Sequence, residues 1–141
     1  MQRNASAVWT GGLKDGKGTI SGESRAFSDL AYSFGTRFES TPGTNPEELI
    51  GAAHAGCFSM ALSGQLGQAG LKPERIETTA TVSLEKGDAG FSVTAVHLKV
   101  RAKVPGADPA AFEKAANNAK AGCPISRLLN ANITMDATLE R

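Results

Sequence analysis

Cys57 and Cys123 are the only cysteines in the chain, and their placement decides what chemistry they can do. A thiol attacks as its thiolate, and a free cysteine ionises near ~8.5. Cys57 falls about ten residues into a helix expected from Pro46 to about Gly70. The helix dipole acts mainly within the first turn, so it gives a mid-helix sulfur little help. Cys123 is expected at the C-terminal end of a second helix, an unfavourable place for an anion, which disfavours it as the first attacker. A reactive Cys57 therefore needs a side-chain cation, and the upstream candidates are Arg25 and Arg37. An arginine stays charged when partly desolvated, and its fork can bind a carboxylate while facing a thiolate. Glu47 or Glu48 could hold it, although helix-start electrostatics alone also account for both glutamates.

Glu47 and Cys57 differ by 57 − 47 = 10 positions, roughly 15 Å along a straight helix. Either the arginine bridges them, the helix bends at a glycine, or the carboxylate comes from a second chain. His54 shares a helix face with Cys57; it could be a general base for the thiol or simply a packed helix residue. His97 falls in the polar parity of a strand and is expected to be exposed. Two cysteines and two histidines formally allow zinc, but no pair has finger-like or ribbon-like spacing. The competing reading of both cysteines is burial alone, since free cysteine packs as a small hydrophobe.

These residues sit in a chain of 141 residues with formal net charge +1, suited to one compact domain spanning 1–141. The 15 basic and 14 acidic residues build no basic stripe, so nucleic acid is not expected as a partner. No apolar stretch approaches the ~18 residues that span a bilayer, so a membrane is not expected either. The first residues lack the apolar core of a signal peptide. The expected location is the cytoplasm, where structural disulfides are rare.

Alternating apolar residues predict strands over 4–9 and 17–21, joined by a turn containing Asp15-Gly16. A further strand is expected within 25–34. Asn45 caps and Pro46 opens the first long helix, with Glu47 and Glu48 at its positive end. Its apolar stripe is read as Leu49, Ala53, Cys57, Met60 and Gly64, widened by Ile50, Ala61 and Leu62. A helix this apolar nearly all round is expected to be buried. Strands follow over 76–84 and 91–104, the second switching parity near Ala95, which predicts a bulge or bend. Asp108-Pro109 starts a second helix with the stripe Phe112, Ala115, Ala116, Ala119 and Cys123. Gly122 and Pro124 stop or turn it, a short helical turn is expected within 124–130, and a last strand covers 132–139. The pattern is α+β with antiparallel sheets.

The run from Thr44 to Leu62, with Asn45-Pro46-Glu47-Glu48 and Ala55-Gly56-Cys57-Phe58 at its heart, resembles the signature helix of the OsmC/Ohr family of hydroperoxide-reducing proteins. Lys120-Ala121-Gly122-Cys123-Pro124-Ile125-Ser126 is similar to that family's second cysteine motif. Gly16-Lys17-Gly18-Thr19, Thr36-Arg37-Phe38-Glu39 and Asp88-Ala89-Gly90-Phe91 match in order, so the likeness runs from about Val8 to Leu139. The Thr-Arg-Phe-Glu setting and the histidine before the cysteine favour the OsmC branch; the Ohr branch places its arginine nearer the N-terminus, where Lys14 and Lys17 stand.

The resemblance implies an OsmC-like fold, an intertwined homodimer with antiparallel sheets around two long central helices. It implies a thiol peroxidase active in oxidative and osmotic stress defence. Cys57 would form a sulfenic acid that Cys123 resolves as a disulfide, and Arg37, paired with Glu47, would activate the thiol and the peroxide. It further implies organic hydroperoxides as substrates, a dithiol reductant of lipoyl type, and no metal or other cofactor. The alternative is a non-catalytic, small-molecule-binding or stress-related dimer with incidental cysteines.

Overall fold

The computed structural model describes residues 1–141 and divides into two compact units, Met1–Leu49 and Ile50–Arg141. In the first unit, β1 (Ala5–Thr10), β2 (Lys17–Gly22) and β3 (Leu30–Tyr32) form an antiparallel sheet in that order. Gly11, at φ 94°, opens the β1–β2 turn, a conformation that side chains disfavour. Gly18 is small for a different reason: a Cβ there would lie 2.5 Å from both the Tyr32 ring and the Val8 carbonyl oxygen. The Trp9 and Tyr32 rings pack over it, 5.3 Å apart.

The strand expected within 25–34 shrinks to Leu30–Tyr32. Arg25 and Asp29 take left-handed φ of 61° and 52°, which breaks any extended run through them. A short helix not anticipated from the sequence, α1 (Phe34–Phe38), follows directly. Ser33 and Thr36 close a reciprocal capping box at its start, which satisfies two backbone N–H groups. The long helix α2 (Pro46–Gln68) begins where the cap-and-proline signal put it. Asn45 Oδ1 accepts from the Glu48 amide at 2.8 Å, and Asn45 Nδ2 donates to the Thr36 carbonyl at 3.3 Å.

In the second unit, α2 buries His54, Phe58, Leu62 and Leu66, a stripe with i, i+4 spacing. This corrects the expected stripe: Met60 is 80% exposed, and Ala53 and Gly64 are exposed too. Ala52, Ala53, Gly56, Met60, Ser63, Gly64 and Gly67 form an exposed face of small and apolar residues. The helix is therefore buried along one side only in a single chain.

Strands β4 (Arg75–Gly87), β5 (Gly90–Lys103) and β6 (Asn132–Glu140) form the second sheet. β4 and β5 pair antiparallel. Their register opposes Ser83 to Ala95 but Leu84 to Val93, so Thr94 is the extra residue of the expected bulge. β5 and β6 pair in parallel, correcting the expectation of antiparallel sheets throughout. Residues 104–131 carry two helices, α3 (Pro109–Gly122) and α4 (Pro124–Leu128), and a connection of that length returns the chain in the same direction. Phe58, Leu62 and Leu66 of α2 share a core with Val96, Leu98 and Val100 of β5 and Phe112, Ala115 and Ala116 of α3.

Candidate active site

Arg37 lies in the last turn of α1, where a cation suits the helix terminus. Its fork grips one carboxylate: Nε donates to Glu47 Oε1 and Oε2 at 3.0 and 3.2 Å, and Nη2 to Oε1 at 2.7 Å. The Arg37 side chain is 37% exposed and that of Glu47 only 13%. The guanidinium also lies 5.1 Å from the centre of the Phe38 ring. Of the open sequence alternatives, the structure thus pairs Arg37 with Glu47. Arg25 sits exposed in a turn and Glu48 is exposed at the helix start. Trp9, Leu13, Tyr32, Ser33, Phe34, Arg37 and Phe38 line a cavity of about 280 Å³. Its walls are aromatic and its charge comes from Arg37, which suits a molecule with an apolar tail and a polar head.

The two thiols belong to the second unit. They are 123 − 57 = 66 positions apart, yet Cys57 packs against the core that contains Cys123, and the two thiols are near enough to perturb each other's ionisation. Both are free thiols; Cys57 is half-buried and Cys123 buried. Burial pushes the Cys57 thiol above its ordinary value, opposed by the Ile125 amide and reinforced by neighbouring Cys123. No cation figures among these causes. Burial acts on Cys123 in the same sense, but it is outweighed by the Ser126 hydroxyl and amide, Cys57 and the Ile125 amide, so Cys123 is held below its ordinary value.

The reason lies in α4. Cys123 closes α3, as its sequence position implies, but it also caps α4. Its sulfur accepts from the Ser126 amide at 3.4 Å and the Ser126 hydroxyl at 3.5 Å. The expectation of an anion-hostile setting counted the carbonyl end of α3 and missed these donors.

His54 is fully buried. Its Nε2 lies 2.7 Å from Ser126 Oγ, while its Nδ1 is buried with no hydrogen-bond partner. Burial holds the imidazole below the ordinary histidine value. The histidine therefore engages the Cys123 side of the pair through Ser126. Ser126 was missed in the sequence; its only local signal is a hydroxyl at the third position of a proline-led helix start. His97 is partly exposed and bridges to β6, with Nδ1 2.6 Å from Thr134 Oγ1 and Nε2 3.2 Å from Asp136 Oδ2. No group of three or more histidine, cysteine or acidic side chains gathers to hold a metal.

Residues 38–138 match the family model described as OsmC-like protein. The chain belongs to the OsmC family. It is 54% identical over 140 residues to the peroxiredoxin OsmC of Escherichia coli K12, covering 99% of this chain and 98% of that one. The organic hydroperoxide resistance protein of Xanthomonas axonopodis pv. citri is 33% identical over 98 residues, covering 69% and 67%. This difference agrees with the OsmC-branch features around Arg37 and His54. Among solved structures, an OsmC-like protein from Mycoplasma pneumoniae superposes with a TM-score of 0.78 at 14% identity, covering 100% of this chain and 99% of that one. That likeness confirms the α+β OsmC-like fold. No helix is long and apolar enough to cross a membrane.

Proposed function

We propose that this OsmC-family protein is a peroxidase-type enzyme that reduces organic hydroperoxides to alcohols through Cys57 and Cys123. One observation carries the reading above the rest: two thiols far apart in sequence meet at one packed core and perturb each other's ionisation, as a disulfide-forming pair requires. The Cys57 thiolate attacks a peroxide oxygen, the O–O bond breaks, and the alkoxide takes a proton. Cys123 then attacks the sulfur of the resulting Cys57 sulfenic acid and displaces its hydroxyl, giving the disulfide and water. An external dithiol, of lipoyl type by family likeness, then restores both thiols. Sulfur carries both electrons, so no cofactor is required.

Arg37 is the cation assigned to Cys57, oriented by the carboxylate of Glu47. Burial raises the Cys57 thiol, and an adjacent guanidinium is the standard remedy. The aromatic cavity beside Arg37 supports substrates with apolar tails. We further propose that residues 1–141 act as one OsmC-like domain in an intertwined cytoplasmic homodimer, with the active site assembled at the subunit interface. The exposed apolar face of α2 and a β1 exposed along its whole length support this assembly, since such surfaces are commonly interaction sites.

The test is mass spectrometry before and after one equivalent of cumene hydroperoxide. Loss of two hydrogens, mapped to Cys57 and Cys123, is expected. Cys57→Ser abolishes peroxide consumption, and Arg37→Ala raises the pKa of the Cys57 thiol and slows the peroxide step. An unchanged mass in the parent protein points instead to a binding protein with incidental thiols.

A further inference from the structure

We propose that Ser126 is a catalytic residue of the resolving step and His54 its positioning residue: their hydrogen bonds stabilise the Cys123 thiolate that attacks the oxidised Cys57. The inference rests on the disulfide mechanism proposed above. It assigns work to the two polar side chains buried in this core, His54 and Ser126.

The wiring follows from counting protons. A serine hydroxyl has one hydrogen and a neutral imidazole has one N–H. Ser126 Oγ lies 3.5 Å from Cys123 Sγ and 2.7 Å from His54 Nε2. If the hydroxyl donates to Nε2, the imidazole proton must sit on Nδ1, which is buried without an acceptor. A buried orphan N–H is rare, whereas an under-used acceptor is better tolerated. The favourable tautomer therefore carries its proton on Nε2. His54 then donates to Ser126, and Ser126 donates to the Cys123 sulfur, joined by the Ser126 amide at 3.4 Å. Every donor in this chain points toward sulfur, the arrangement that favours a thiolate over a thiol.

The groups that face the Cys123 sulfur are Cys57 from α2 and the Ser126 hydroxyl and the Ile125 and Ser126 amides from α4. His54 from α2 acts through Ser126. None of these is a cation, so the Cys123 charge is held by dipoles alone. In the step itself, the Cys123 thiolate attacks the sulfenic sulfur of Cys57. The S–S bond forms as the S–O bond breaks, Cys123 is oxidised and the sulfenic sulfur reduced, and hydroxide leaves and is protonated to water. His54 stays neutral throughout: its role is to fix the serine hydroxyl toward the sulfur.

The decisive experiment titrates Cys123 alone, by thiolate absorbance against pH, in a Cys57→Ser background. Ser126→Ala and His54→Leu should each raise its midpoint by roughly one unit or more, the scale of a hydrogen bond to an ion. His54→Gln keeps a non-titrating donor in place and should stay close to the parent. With Cys57 intact, cumene hydroperoxide followed by a sulfenic-acid trap should show that Ser126→Ala still forms the Cys57 sulfenic acid. It should then persist about threefold longer below the parental Cys123 midpoint, since a one-unit shift cuts the thiolate fraction about tenfold while the more basic thiolate is about threefold more nucleophilic. Identical titrations of Ser126→Ala and its parent overturn the inference; so does a His54→Gln variant that behaves like His54→Leu, which would make the histidine a base instead of a donor. If the parent forms no Cys57 sulfenic acid at all, the disulfide mechanism fails while the titrations still report on the hydrogen-bond chain.

Discussion

His54 couples the stability of the core to pH, and the sign and size of the effect follow from its surroundings. Burial depresses its pKa in the folded state, while in an unfolded chain a histidine ionises near ~6.5. Above that value both states are neutral and the site contributes nothing to pH dependence. As the pH falls below it, the unfolded chain takes up a proton that the folded core refuses, so stability is lost. The loss approaches about 1.4 kcal/mol per pH unit while the buried ring stays neutral. Between pH 8 and pH 5 its ceiling, reached if the folded ring takes up no proton, is about 2 kcal/mol, or roughly 4–8 °C in midpoint for a chain of this size. The assay is thermal unfolding of the parent and His54→Gln at both pH values and one protein concentration. Every other titrating group is common to the two proteins, so the difference between their pH dependences belongs to His54. The parent should lose more stability than the variant on acidification, by up to about 2 kcal/mol. Parallel profiles would show that His54 protonates in the folded core as readily as in the unfolded chain.

Leu62 is fully buried between α2 and the sheet core, so Leu62→Ala should cost about 2–5 kcal/mol in denaturant unfolding; a loss under 1 kcal/mol would mean that the core collapses around the gap. Met60→Arg places a charge on the exposed apolar face of α2. Light scattering should show the proposed homodimer dissociating while the monomer keeps its helical signal, and an unchanged dimer would move the interface elsewhere.

Much of the frame was legible because its signals are local. Asn45-Pro46 and Asp108-Pro109 mark helix starts through backbone N–H groups that need partners, and both asparagine and aspartate supply them. The parity change in β5 exposed its bulge for a similar reason: one inserted residue reverses which side chains face inward. The inward stripe of α2 was misplaced because the helix has apolar or small residues on nearly every face. With no polar face to set the phase, His54, Phe58, Leu62 and Leu66 do not stand out from Met60 and Gly64. The parallel pairing of β6 depends on a connection whose direction no strand pattern records, although its length was a usable clue. The capping box of α1 was present in the spacing of Ser33 and Thr36, but five helical residues are too few for periodicity to reveal.

Among the candidate residues, the sequence placed Cys57, Cys123, Arg37 and Glu47 in view, and Arg37 does grip Glu47. Ser126 could not be read the same way. It is 72 positions from His54, and only the folded crossover brings the hydroxyl between imidazole and sulfur.

The distance along the chain between the two sulfurs has a mechanical consequence for turnover. A bond between residues 57 and 123 would close a loop spanning 66 positions, and chain-entropy arguments put its worth at about 4 kcal/mol against the unfolded state. In the proposed cycle, each reduction would release that restraint. The oxidised protein should therefore outlast the reduced one under heat or proteolysis, leaving the enzyme most robust at the moment when it waits for electrons.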